Sequence, residues 1–331
     1  MHRVEWFRSP ASVAAMALLL GALAAATSPA LAGAPEPGAP AAEVEASASV
    51  ESAGVIVEAD EDDGLHLGAL SIAFENTFTT AYMWRGVINQ RNGLIWQPSL
   101  ELSLNLFEAD EGFVRGVDVL VGTWLSLHDE DAGAFAPGSD GVYETDYYPS
   151  LSVDWNGGVN TTFTYYFYTS PNDSFPTIEE FAIDLAWDDS EALGVWAMNP
   201  TATFSFETRN TSFGTGKGAS VELGIEPGTE VTLPFDAAGS YPLSIAVPFG
   251  LGLSMDGYYA DGVRDETFGY FLFGLHASIP LGCLPERYGE LTLRNGFDVY
   301  VVNDAIEWYT SDTFGVGDPV YPVWTTSLTL E

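Results

Sequence analysis

His276 and Ser278 stand two residues apart in "LHASIP", on the same face of any extended strand. A hydroxyl nucleophile needs a base beside it and a third group to orient that base. This pair supplies adjacency without a triad. Of the other histidines past the N-terminal segment, His66 stands in a polar, acidic stretch and His128 begins an acidic loop. The chain has no G-x-S-x-G, C-x-x-C or H-E-x-x-H motif, no P-loop, and no G-x-G-x-x-G ahead of a helix. A barrel hydrolase is therefore the weaker reading, and no cofactor or metal site is expected.

The second chemistry on offer is electrostatic. Asp and Glu number 47 against 10 Lys and Arg, a formal net charge of -37. Phosphate binding needs Lys and Arg, so nucleic acid is excluded as a general partner. The ionic partners of such a chain are cations. The acids also recur at alternate positions of apolar segments. On one face of the extended segments lie Glu75, Glu101, Asp118, Asp154, Glu180, Asp184, Glu207, Glu222, Asp256 and Asp298, with His276, Arg294 and Arg85 as the opposing basic groups. Rings of carboxylates around a wet passage favour cations and repel anions.

Which elements would position them? From Leu67 onward the hydrophobic period is two. In "WQPSLELSLNLF", Leu100, Leu102, Leu104 and Leu106 share one face, and Ser99, Glu101, Ser103 and Asn105 the other. A helix would scramble these faces, whereas a strand keeps them apart. The pattern predicts about twelve strands, near 68–86, 94–107, 113–128, 144–156, 159–169, 178–188, 198–209, 218–227, 242–257, 268–281, 290–303 and 319–330. Many exceed the 5 or 6 residues usual in soluble sheets, and tilted membrane-spanning strands need about 9 to 11. Short connections such as "EADEG" and "NGG" alternate with long polar ones such as "DEDAGAFAPGSDGVY", the pattern of short periplasmic turns and longer outer loops. "GTEVTLPFDAAGSY", after the eighth strand, is too long for that rule. An even strand count places both chain ends on the short-turn side.

The fold class these features predict is all-β, a transmembrane antiparallel β-barrel of about twelve strands. Its apolar face meets lipid and its polar face lines the lumen. Tyr82, Trp84 and Trp96 fall near the long-loop end, and Trp155 and Trp187 near the short-turn end, as two membrane-interface belts would require. Along the first strand, Phe74, Phe78, Tyr82 and Trp84 are expected on the lipid face. Ser71, Glu75, Thr77, Thr79 and Arg85 are expected on the lumen face. Period alone leaves a secreted or surface β-sandwich open as the alternative, one that binds carbohydrate or a protein partner through exposed tyrosines in "DGYYADG" and "YETDYYPS". Prolines within candidate strands, Pro98, Pro149, Pro200, Pro248, Pro280 and Pro322, each cost a closed sheet one ladder hydrogen bond. They are expected at strand ends or bulges, an account that fits Pro248 least well.

Three segments are expected. Residues 1–32 read as a cleaved signal peptide, with Arg3 and Arg8 before an apolar run and "ALA" at 30–32. Residues 33–64 read as an acidic disordered linker ending in the run Asp60 to Asp63, and 65–331 as the barrel. The signal implies export, to the outer membrane for a barrel or to the periplasm or exterior for a sandwich. Cys283 is the sole cysteine, so no intrachain disulfide forms.

The stretch "TTAYMWRGVINQRNGLIWQPSLELSLNL" resembles the start of TorF-type porins, Gram-negative outer-membrane β-barrels, through Trp84, Arg85, Gly86, Gln97 and Pro98. "VPFGLGLSMDGYY" followed by "FGYFLFGLHASIPLGCLPERYGELTL" is similar to the strand and turn pattern of their back half. The resemblance implies an outer-membrane location, lipid around the barrel and the barrel-assembly machinery as folding partner, and says little about cargo; the acidic inner face adds the expectation of passive passage of small cationic or neutral solutes. Glu331 departs from the aromatic last residue usual in such barrels.

Overall fold

The two-residue alternation closes on itself. The structure is a computed structural model that describes residues 70–130, 141–213, 216–235, 239–260, 262–283, 285, 289–314 and 317–331. The predicted signal, the acidic linker and His66 lie outside the described residues. The strands are β1 (Leu70–Thr79), β2 (Tyr82–Trp84), β3 (Val87–Gln90), β4 (Ile95–Glu108), β5 (Val114–His128), β6 (Gly141–Trp155), β7 (Val159–Thr169) and β8 (Ile178–Trp187). They continue as β9 (Thr201–Arg209), β10 (Ala219–Ile225), β11 (Gly228–Phe235), β12 (Gly239–Ala246), β13 (Phe249–Asp256), β14 (Phe268–Pro280), β15 (Leu291–Val302) and β16 (Val320–Leu330).

Twelve of them form one closed antiparallel ring, all except the hairpins β2–β3 and β11–β12. Each wall strand pairs with the next along the chain, and β16 returns to β1, from Phe74↔Leu330 to Thr79↔Thr325. Closure removes the free edge and lets backbone groups pair within the wall, which a lipid surround demands.

Burial separates this barrel from a soluble sandwich. Phe78, Leu104, Val121, Leu151, Leu185, Phe273, Leu275 and Trp324 are exposed on the outer face. Ser103, Ser126, Ser150, Ser152, Thr162, Thr164, Ser205 and Ser220 are buried on the inner one. A water-soluble β protein buries its apolar face; here the apolar face is the one turned outward, and a band of it runs round the ring.

The long connection after the eighth wall strand is itself a hairpin. β10 and β11 form one strand interrupted at Glu226–Pro227, and β12 and β13 one strand interrupted at Val247–Pro248. Register runs through both breaks: Val247 N–H donates to Pro227 O, and Gly274 N–H to Pro248 O, each at 2.9 Å. Pro248 thus sits in the two-residue gap between β12 and β13. Pro200 precedes β9 and Pro280 ends β14. Pro98, Pro149 and Pro322 lie inside β4, β6 and β16, against the expectation of strand ends.

Leu70 and Leu330 lie at the end that carries the short turns 109–113 and 156–158, but the connections 188–200 and 226–248 at this same end are longer than the predicted alternation allows. Two connections carry helices. The turn after β8 holds α1 (Ser190–Leu193) and one 3₁₀ turn, Gly194–Trp196. The last long loop holds α2 (Asp304–Phe314), capped by Asn303, whose Oδ1 accepts the Ile306 N–H at 2.7 Å.

Candidate functional site in the lumen

The predicted first strand ends early. Thr79 Oγ1 donates to Ala81 O at 2.8 Å, a local side-chain bond that competes with the ladder. Thr80 makes the last contacts with the wall, its N–H to Trp324 O and its Oγ1 from Trp324 N–H. The chain then turns inward, and 82–90 forms the hairpin β2–β3 inside the ring. Its turn is Arg85–Gly86, with φ of +47° and +81°. Two consecutive left-handed residues make the two-residue I′ turn that matches strand twist. Arginine is unfavourable in this region, so its own bonds must hold it there.

Those bonds reach three wall strands. Arg85 Nη1 and Nη2 donate to Glu180 of β8 at 2.6 and 2.7 Å. Nε donates to Glu222 of β10 at 2.8 Å, and Nη2 to Ser205 of β9 at 2.7 Å. The Arg85 guanidinium also lies 4.6 Å from the centre of the Trp84 ring. Arg85 and Glu180 are both buried, at 7% and 0% exposure. A buried pair holds only when geometry is good and remaining donors are satisfied; the fork of Arg85 meets both conditions.

This placement corrects the belt assignment of Tyr82 and Trp84. Neither faces lipid. Trp84 packs edge-on against Tyr168, with ring centres 5.2 Å apart, and Tyr82 packs on Trp124 and donates to Glu144 at 2.8 Å. Strand alternation in the sequence continues past Thr79, where the chain itself leaves the wall. Trp96 and Trp187 are exposed on the outer wall, Trp96 toward the long-loop end and Trp187 at the short-turn end, where Trp155 is half-buried with its Nε1 donating to Thr161.

The long loops pack over the hairpin. Val87 and Ile88 join Phe213, Tyr258, Tyr259, Tyr270, Val302, Ile306 of α2 and Tyr321 in one buried apolar cluster. Tyr259 donates to Arg85 O at 3.1 Å, fixing the turn from the loop side. "GYYADG", read from sequence as an exposed stacking surface, is instead partly interior: Tyr258 and Tyr259 are 1% and 0% exposed.

A cavity of about 450 Å³ lies beside the hairpin. Arg85, Asp184, Glu222 and Asp298 of the predicted set line it. Asp184 accepts from Thr203 Oγ1 at 2.6 Å. Glu222 also accepts from the Tyr270 hydroxyl. His276 Nε2 lies 2.9 Å from Asp298, and Arg294 donates to His276 Nδ1 and pairs with Glu226 at 3.5 Å.

Other predicted residues sit along the inner wall away from the cavity. Glu75 accepts from Thr77 at 2.6 Å, Asp118 from Asn105 at 3.0 Å and Asp154 from Asn160 at 2.9 Å. Glu101 is on the same face of β4. Glu207 binds the N–H groups of Ser212 at 2.5 Å and Gly218 at 2.8 Å, so it anchors its loop. Asp256 ends β13, exposed and away from the cavity lining.

Sequence reasoning missed Glu144 and Asp146. Both face inward from β6, buried at 6% and 7% exposure. The signal was present, since the acids alternate with Tyr143 and Thr145 in "YETDYY". It also missed a contact between Ser126 Oγ and His128 Nε2 at 2.9 Å. Ser126 is fully buried and His128 Nδ1 has no hydrogen-bond partner, so the pair lacks the orienting acid of a triad.

No protein-family model matches the chain, and no curated protein does. Among solved structures it is similar to an outer-membrane channel of the COG4313 group from Pseudomonas putida F1, with 11% identity, a TM-score of 0.42, and 82% of this chain covering 99% of that one. It is similar to the NanC porin at 7% identity and a TM-score of 0.39, covering 79% of this chain and 100% of that one. The β-domain of the Bordetella autotransporter BrkA gives 12%, 0.38, 79% and 98% in the same order. By description one is an outer-membrane channel, one a porin and one an autotransporter β-domain, and none identifies this chain as TorF-type. At these scores the likeness says nothing of cargo, and the barrel assignment rests on the closed ladder of the chain itself.

Proposed function

We propose that this chain is an outer-membrane barrel that passes small solutes, cations in preference to anions, through its acid-lined lumen. The proposal places the apolar band in outer-membrane lipid and gives the chain the barrel-assembly machinery as its folding partner. One observation carries it: carboxylates outnumber cations on the inner face, and the inward cations are already engaged. Arg85 is held by Glu180 and Glu222, and Arg294 by His276 and Glu226. Asp146 and Asp184 therefore set the sign of the field beside the hairpin. Because the hairpin crosses the lumen, solutes pass beside Trp84 and Arg85, and this point limits the rate.

Purified protein in planar bilayers under a KCl gradient tests the reading. A reversal potential on the cation side is expected, moving toward anions when Asp118→Lys and Asp184→Lys are combined. Absence of conductance, or anion preference in the unaltered protein, overturns it.

A further inference from the structure

The cavity beside the hairpin is walled by aromatic rings as much as by acids. Tyr82 and Trp84 come from β2, Trp124 from β5, Tyr148 from β6, and Tyr166 and Tyr168 from β7. Their contacts form two runs, the second of which ends on β6 itself. Tyr82 lies 5.4 Å from Trp124. Trp84 lies 5.2 Å from Tyr168, Tyr168 5.4 Å from Tyr166, and Tyr166 5.5 Å from Tyr148.

Asp146 stands between the runs. It is the register partner of Trp124 on β5 and of Tyr168 on β7. It is 7% exposed, lines the cavity and shares a side-chain hydrogen bond with Glu144, while no N–H group reaches its buried Oδ1. Two acids held against each other away from water repel unless a proton or a cation joins them, so the Glu144–Asp146 pair has a place for a positive partner. Among the described residues no Lys, Arg or His forms an ion pair with Asp146. Arg85 could have filled that role, but its fork is turned to Glu180.

The partner's chemistry follows from the wall. A small metal ion wants several oxygen or nitrogen ligands together, and among the described residues no such group of three or more His, Cys, Asp or Glu occurs. Ring faces instead attract a weakly hydrated cation and accept its alkyl groups. The volume is within the roughly 300–1,000 Å³ typical of small-molecule pockets. We infer that this cavity binds an organic ammonium ion, with Asp146 as its counter-charge and Trp124, Trp84 and Tyr168 packed around its alkyl groups. The inference rests on the proposed passage of cations through the same lumen and narrows it to one class of solute.

The test is calorimetric titration of the full chain, refolded in detergent, with choline. Its uncharged isostere 3,3-dimethylbutan-1-ol and potassium ion serve as comparisons at matched ionic strength. Saturable choline binding is expected, with each comparison weaker by about tenfold or more, the size of a desolvated cation–π and ionic contribution. Asp146→Asn, which keeps the side-chain shape, is expected to lose about tenfold, and Trp124→Leu to lose a similar factor. Heat-modifiable gel migration establishes that each variant is folded. Equal affinity for the isostere, unchanged choline affinity in both folded variants, or no saturable binding overturns the inference. A cation-preferring pore that does not bind choline removes this inference alone. Choline binding by a protein that passes no current keeps the site and removes the passage.

Discussion

Arg85 and Glu180 meet through two charge-assisted hydrogen bonds, at 2.6 and 2.7 Å, across 95 residues of sequence. The pair ties the apex of an inner hairpin to the barrel wall. Removing one partner of such a pair strands the other, at a cost of about 3–5 kcal/mol. The wall closes without the hairpin, so the loss falls on hairpin docking. Arg85→Ala should therefore still fold as a barrel, conduct more, and exchange the amide protons of 82–90 faster. Adding Glu180→Gln should recover part of the docking, because it removes the stranded charge. Unchanged conductance and exchange in Arg85→Ala would show that the hairpin is held by its apolar cluster alone.

The loop side of the hairpin is sensitive to alkali. Tyr258 accepts from Arg85 Nη1 at 3.2 Å, and burial pushes its phenol up to about 12. Burial does the same for Tyr309 of α2, also to about 12. A free phenol titrates near 10, so the packed loops favour the neutral form. A group whose folded pKa is raised contributes stability that is complete below its unfolded pKa and is lost as pH rises through the folded one. Loop packing is thus unaffected below pH 10 and weakens from about 10 to 12. Conductance should rise across that window, with a smaller rise in Tyr258→Phe. A flat response would separate these phenols from loop packing.

Tryptophan environment gives a direct reading of the two faces. In variants retaining one tryptophan each, Trp96, Trp187 and Trp324 should be quenched by brominated lipid, since they are 36%, 41% and 51% exposed on the outer wall. Trp84 and Trp124, both lining the cavity, should not be. Quenching of Trp84 would return the hairpin to the lipid face.

Inner-wall glycines make room for tyrosines. Gly252 and Tyr270 are register partners, and a Cβ at Gly252 would stand 2.2 Å from the Tyr270 ring. Gly122 and Tyr148 repeat the arrangement, also at 2.2 Å. Gly252→Ala should displace Tyr270 from Glu222 and cost about 1–3 kcal/mol, as overpacking does. The temperature of the heat-modifiable gel shift should fall accordingly. Gly282→Ala, where the added carbon meets open space, should leave it unchanged.

Much of the wall was legible in sequence because strand alternation is local. Leu100, Leu102 and Leu104 against Ser99, Glu101 and Ser103 fix two faces without reference to any other segment. The inward set of acids followed from the same counting, apart from Asp256 at a strand end and the overlooked Glu144 and Asp146. What counting could not do was say whether the apolar face meets lipid or a second sheet. The ring decides that, since every wall strand finds a partner on both sides and the apolar residues remain outside it.

The hairpin shows the limit most sharply. By itself the sequence determined the period, the two faces, the acidic inner surface and the placing of both wall ends at the short-turn side. "AYMWRG" keeps that period after Thr79, so an outer-wall strand and an inner hairpin look alike in it. Only the tertiary structure decided between them. Arg85 can turn inward because Glu180, Ser205 and Glu222, on three later strands, converge on its guanidinium. A cation in an acidic interior is drawn to the partners that neutralise it, and those partners become neighbours only when the ring closes.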